Sequence, residues 1–305
     1  GGLRDAPIQK LEVVSCMDSA RFLVGGVTAN GDEPRTALPA VLALPSPVDP
    51  VPEAAGAGSV SAVAGGFYIE NDLIEMTLTV GPGLQLKALS TPCLFGEELK
   101  LTPGPLFEVG MGDTTVTSAE ITVGKPVVTN ADGLGTLTVP IDARPQGVPL
   151  AGEFVAELGE KGGIRLRLNL RNVGEKTMVP RVRFPLARDI RMGSVEETWY
   201  LYARKGGVIS NRPFHERKAS GGEYPLQVLD VFRADGGGVA MLTEDTVGSY
   251  RFWELAKDEQ GVDIGIDYWE REYAPGEALE TVPTVLRAHT GDWRRALALY
   301  REWVQ

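Results

Sequence analysis

The stretch Ile164-Arg165-Leu166-Arg167-Leu168-Asn169-Leu170 alternates apolar and polar side chains without a break. A period of two is the spacing of an extended strand, whose successive side chains point to opposite faces. Val262-Asp263-Ile264-Gly265-Ile266-Asp267-Tyr268 follows it, as do Ile74-Glu75-Met76-Thr77-Leu78-Thr79-Val80 and Leu84-Gln85-Leu86-Lys87. Each reads as an antiparallel strand with one face on a core and the other in water. Weaker versions lie at 154–158, 179–186, 228–232, 239–242 and 279–286. Between such runs stand Asn130-Ala131-Asp132-Gly133, Glu160-Lys161-Gly162-Gly163 and Ala234-Asp235-Gly236-Gly237-Gly238. These clusters supply the positive φ that tight hairpins need. No strand–helix alternation is visible, which argues against a Rossmann fold or (β/α)8 barrel in this chain. The pattern predicts an all-β protein, a large antiparallel sandwich.

Two segments depart from it. Pro45-Ser46-Pro47-Val48-Asp49-Pro50-Val51-Pro52, followed by an Ala/Gly/Ser-rich run, reads as an extended connector. Near the other end, Asp292 is a good helix N-cap. Trp293, Ala296, Leu297, Tyr300, Trp303 and Val304 then recur at the spacing of one apolar helical face, with Arg294, Arg295, Arg301 and Glu302 opposite. Residues 1–62 are therefore expected to form an N-terminal extension with edge strands and the connector. Residues 63–290 would form the sandwich, and 291–305 a helix leading to a further domain, with Trp293, Tyr300 and Trp303 at the interface.

Composition narrows the function. Of 305 residues, 41 are Asp or Glu and 30 Lys or Arg, a formal charge of −11. Nucleic acid is thereby an improbable partner, since its binding relies on cations neutralising phosphates. No apolar run approaches the roughly 20 residues of a bilayer-spanning helix, so no membrane partner is expected. Two cysteines, Cys16 and Cys93, offer no metal-binding spacing and read as small buried hydrophobes in preference to a disulfide. Neither His215 nor His289 belongs to a nucleophile or zinc motif. No cofactor, metal site or catalytic residue is assigned. With 41 acids, a carboxylate pair for glycoside hydrolysis cannot be singled out.

Residues 161–218 stand apart, with fourteen cations against five anions. Arg165, Arg167, Arg181 and Arg183 alternate with apolar neighbours, which is expected to gather them on one outward face. That face is either solvated and paired with acids or a docking surface for an acidic domain or anionic glycan. Aromatic rings beside polar groups suit carbohydrate, because pyranose C–H faces stack on rings while hydroxyls need directional partners. On this ground Trp199, Tyr202, Arg204, His215, Glu216 and Trp269 are the candidate carbohydrate-binding residues, with Trp253 and Tyr268 nearby in the pattern.

The order of landmarks resembles a known family. Phe67-Tyr68-Ile69-Glu70-Asn71-Asp72-Leu73-Ile74-Glu75-Met76-Thr77-Leu78, returning through Gly83-Leu84-Gln85-Leu86-Lys87-Ala88-Leu89, is similar to the opening of galactose-mutarotase-like supersandwich domains. Residues 224–232 and 236–245 look like a second landmark. His289-Thr290-Gly291-Asp292-Trp293 through Tyr300-Arg301-Glu302-Trp303 resembles the helix that introduces the barrel in endo-α-N-acetylgalactosaminidase-like glycoside hydrolases. The resemblance spans about residues 65–305. It implies a β-supersandwich with a short C-terminal amphipathic helix, and a catalytic barrel domain as partner in the parent chain. In that family the catalytic carboxylates lie on the barrel, so none is carried over here, and the two histidines do not match the aldose 1-epimerase pattern. Three readings stay open: a non-catalytic module of a glycoside hydrolase, a complete carbohydrate-active enzyme (epimerase, hydrolase or lyase) with its site in the sandwich cleft, and a stand-alone carbohydrate-binding protein. Action on polysaccharide would favour a secreted or periplasmic location.

Overall fold

The computed structural model describes residues 58–92, 99–158 and 162–305. Cys16, Cys93, the connector up to residue 57, most of the 1–62 extension, and Glu160 and Lys161 of one expected turn lie outside the described residues. The end of the expected connector forms the strand Ser59–Val63, paired with Gly66–Glu70. Across the described residues the chain folds into three antiparallel sheets followed by one helix. The first is a meander of Ser59–Val63, Gly66–Glu70, Glu75–Val80 and Leu84–Ser90, closed by Gly104–Pro105. Its first strand straddles the expected boundary at 62/63. Asn71 sets one of its turns, the side-chain oxygen accepting from the Leu73 and Ile74 amides at 2.9 and 2.8 Å.

The second, seven-stranded sheet runs Phe214–Ala219, Arg251–Lys257, Val262–Tyr268, Pro180–Met192, Glu108–Met111, Thr114–Thr117, with Leu99–Thr102 on Pro180–Met192. The third has eleven strands. Its centre is Leu134–Asp142, Leu150–Leu158, Ile164–Asn172, Thr284–Thr290, Gly237–Thr243, Val228–Arg233 and Thr198–Tyr202. The inward faces of these two large sheets share a core. Phe184 of the second meets Phe154 of the third and Phe107 edge-to-face, with centroids 6.2 and 6.4 Å apart, pairs that add about 0.5–1.5 kcal/mol each beyond area burial. Tyr224 stacks on Trp253 at 4.9 Å and meets Tyr202 at 4.8 Å.

The alternating run at 164–170 forms Ile164–Asn172, its isoleucine and leucines buried and its arginines outward. Arg165 and Arg167 lie in the third sheet, however, and Arg181 and Arg183 in the second, so one shared face does not form. The run at 279–286 is two strands, Ala278–Glu280 and Thr284–Thr290. Pro283 falls between them and has no amide for a continuous ladder.

Asp292 caps the helix Trp293–Val304 by accepting from the Arg294 amide at 3.0 Å. The helix packs on Val228–Arg233, Gly237–Thr243 and Thr284–Thr290. Its buried positions are Arg295, Ala296 and Leu299. The expected polar face is thus corrected at Arg295, which is drawn inward beside the buried His289 and Asp230. Trp293, Tyr300 and Trp303 are half-buried at the flanks. Among the described residues no helix is long and apolar enough to cross a membrane.

Candidate functional site

Five strands of the second sheet bring charge and aromatic rings together on its outer face. Phe252, Asp267, Arg183 and Glu108 are register partners in one row across four of those strands. Arg183 is the hub. Its Nε donates to Asp267 at 2.7 Å, and its two terminal nitrogens to Glu108 at 2.9 Å and Glu254 at 2.7 Å. Reaching Glu254 means crossing the intervening strand, where Gly265 stands opposite Glu254. A Cβ at Gly265 would sit 2.8 Å from the Leu186 side chain, so the packing of Leu186 favours glycine there. Burial pushes the Arg183 guanidinium down, but Glu254, Asp267 and Glu108 outweigh it and hold it above its ordinary value.

Asp267 is only 2% exposed because a second cation also closes on it, Arg217 at 2.6 Å. The Arg217 guanidinium carbon lies over Phe252, 3.6 Å from the ring centre. His215, one register step along, meets Glu254 at 3.2 Å. Burial pushes the Glu254 carboxyl up, yet Arg183 and His215 bring it below its usual value. Beside this network, Trp269 is parallel to Phe252 at 6.4 Å and perpendicular to Tyr250 at 4.9 Å. Trp269 is 52% and Tyr250 49% exposed. Large rings left half in water beside oriented donors and acceptors form an exposed aromatic platform.

A buried network holds the platform in place. Asp245 accepts from the Val247, Gly248 and Ser249 amides at 2.9, 3.0 and 2.5 Å and from Arg251 at 2.5 Å. Arg251 also donates to Gln227 at 2.7 Å and Thr243 at 2.6 Å. The loop ending in Tyr250 therefore rests on a buried hydrogen-bonded ion pair, in which only the Arg251 Nε is left without a partner.

The expected site residues divide accordingly. Trp269 and His215 both reach the outer face. Arg204 and Glu216 pair with each other at 2.9 Å. Trp199 lies on the third sheet, half-buried, with Phe232 at 6.5 Å. Tyr202 is corrected: it is fully buried, its hydroxyl donating to the Trp253 carbonyl at 2.7 Å, and it belongs to the core. Trp253 is fully buried too. Sequence reasoning missed Tyr250 and Phe252. The usable signal was the i, i+2 spacing of Tyr250 and Phe252 ahead of Trp269.

The third sheet's outer face holds a groove of about 560 Å³ beside the helix. Glu157, Arg165, Glu244 and Arg287 line it with Leu299 and Trp303 of the helix. Arg165 pairs with Glu244 at 2.6 Å, and Arg167 with Glu157.

No protein-family model and no curated protein matches the chain. Solved structures do. A GH36 α-galactosidase, AgaB, of Geobacillus stearothermophilus superposes with a TM-score of 0.52 at 10% identity, covering 76% of this chain and 41% of that one. The α-N-acetylgalactosaminidase NagBb of Bifidobacterium bifidum gives 0.59 at 12%, covering 78% and 38%. A Klebsiella pneumoniae protein assigned as an aldose 1-epimerase gives 0.50 at 9%, covering 78% and 82%. This chain thus spans about two fifths of either glycosidase. The fold is the galactose-mutarotase-like sandwich that the sequence landmarks implied.

Proposed function

We propose that the chain is a non-catalytic sandwich module of a glycoside hydrolase, buttressing a catalytic barrel domain and touching glycan with the outer face of its seven-stranded sheet. The observation that carries this reading is the half-exposed pair Trp269 and Tyr250, bordered by Arg217 and the Arg183–Asp267–Glu254 network. A pyranose ring laid on the indole would offer its C–H face to Trp269 and its hydroxyls to Arg217, His215 and Glu254. The pre-formed ion pairs keep these donors and acceptors oriented, which lowers the ordering cost of binding. The helix Trp293–Val304, with Tyr300 and Trp303 half-buried on its flanks, supplies the contact with the barrel. Resemblance to glycosidases of which the chain covers about two fifths supports that partner.

Calorimetric titration with neutral galacto- and N-acetylgalactosamine oligosaccharides tests the reading. The wild type binds, and Trp269→Ala weakens binding about tenfold, or about 1.4 kcal/mol, with an unchanged melting temperature because half the ring is in water. Absence of binding across the panel overturns it.

The second reading, a complete enzyme, draws on the epimerase-assigned protein, of which the chain covers 82%. It requires at least two of His215, Glu216, Arg217, Asp267 and Glu270 to converge in a cleft, and of these Arg217 and Asp267 meet, at 2.6 Å, on the outer face of the second sheet. The two histidines, however, sit on different sheets, His215 on the second and His289 buried in the third. Anomer interconversion or reducing-sugar release by the purified chain would favour this reading over the first.

A further inference from the structure

The groove beside the helix contains a cation that its surroundings leave under-compensated. Arg287 rises from Thr284–Thr290 with its side chain only 13% exposed, and its one ion pair among the described residues is a 3.4 Å contact with Glu302. Glu302 is itself 46% exposed. A guanidinium carries five N–H donors in a fixed fork, so most of this fork is unused. Burial holds the group below its ordinary value, and Glu302 and Glu244 restore only part of the difference. The neighbouring cations of this face hold closer partners: Arg165 pairs with Glu244 at 2.6 Å and Arg167 with Glu157. Arg287 differs from Arg165 in being only 13% exposed and in holding its carboxylate at the longer distance of 3.4 Å.

The space around it is shaped. A Cβ at Gly163 would come within 2.7 Å of the Arg287 Cγ and 2.6 Å of Val285, so glycine there makes room for the arginine stem on the floor. Leu299 and Trp303 form one wall, and Leu134 and Leu158 line the groove with them. At about 560 Å³, the volume lies within the roughly 300–1,000 Å³ of small-molecule sites.

We infer that this groove is a second binding site, taking the carboxylate of an acidic saccharide of the uronic-acid class on Arg287, with the sugar ring against Trp303. The incoming carboxylate displaces Glu302 and engages the fork with two parallel bonds, the geometry that makes arginine–carboxylate pairs strong. Glu302 is then the internal competitor, holding the cation when no ligand is present. The saccharide part of the inference rests on the carbohydrate reading above; the anchoring role of Arg287 does not.

Titration of the whole chain with trigalacturonate, neutral galactotriose and glutarate separates these claims. Trigalacturonate is expected to bind at least about tenfold more tightly than galactotriose, the worth of one charge-assisted pair. Glu302→Gln tightens trigalacturonate binding several-fold by removing the competitor. Arg287→Gln abolishes the preference. Should that variant fail to fold, Arg287→Lys, which keeps the charge and loses the fork, still lowers the affinity. Equal affinity for acidic and neutral trisaccharides, or an affinity indifferent to Glu302→Gln, overturns the site. Binding of glutarate without trigalacturonate overturns the saccharide assignment alone. Galactotriose binding lost in Trp269→Ala is read separately, since that residue lies on the other sheet.

Discussion

At the scale of single residues, His289 and Asp230 meet at 3.0 Å with neither side chain exposed. Burial pushes the imidazole down, but the Asp230 carboxylate outweighs it and the net shift is upward from 6.5. A folded-state value above the unfolded one stabilises the protein fully below the unfolded value, and that contribution fades as pH rises through the folded value. Melting temperature should therefore decline above about pH 6.5 in the wild type, and less in His289→Gln, in melts across the neutral range. Asp230→Ala leaves a buried imidazole without its acceptor and should cost about 3 kcal/mol in urea unfolding. Glycine is needed nearby, since a Cβ at Gly238 would sit 2.9 Å from the His289 ring and 2.5 Å from the Val231 carbonyl. None of this was legible: Asp230 and His289 are 59 positions apart and carry no local signature. Tyr202 was more readable than the expectation made of it. In Trp199-Tyr200-Leu201-Tyr202 no polar residue alternates, the mark of a strand covered on both faces, whereas Trp269 is followed at once by Glu270, Arg271 and Glu272.

Among the elements, the helix was the most legible, because a cap and a 3.6-residue stripe are local signals. Asp292→Ala should cost about 1 kcal/mol through the lost cap. Leu299→Ala, at a fully buried position, should cost about 2–5 kcal/mol, both measured by chemical denaturation. The strands divide by how simple their two faces are. Ile164–Asn172 alternates cleanly because its inner face is all apolar. Arg251–Lys257 escaped notice because its pattern is inverted: Arg251 and Lys257 point inward and are buried, while Phe252 is outward. Arg251 is matched by Asp245, Gln227 and Thr243, and Lys257 by the carbonyls of Val195 and Thr198. Hydrophobic periodicity reports burial only where burial and polarity agree, and inward charges held by buried partners break that agreement.

For the whole molecule, the fold class could be read from many short alternating runs, but the convergence of distant residues could not. Glu108, Arg183, Glu254 and Asp267 come from four strands and meet only through the sheet's register. Arg183→Gln removes their common partner and leaves three carboxylates facing one another. Since the arginine is partly in water, about 2 kcal/mol of stability should be lost at neutral pH. The deficit should shrink as pH falls and those carboxylates protonate, which parallel urea titrations at neutral and acidic pH would show. The opposite side of the sandwich is organised differently. There the helix covers only part of the large sheet, so the groove's inner wall is also the inner flank of a segment whose other flank faces outward. Should the two proposed occupants couple through that segment, each would raise or lower the affinity of the other by the same factor.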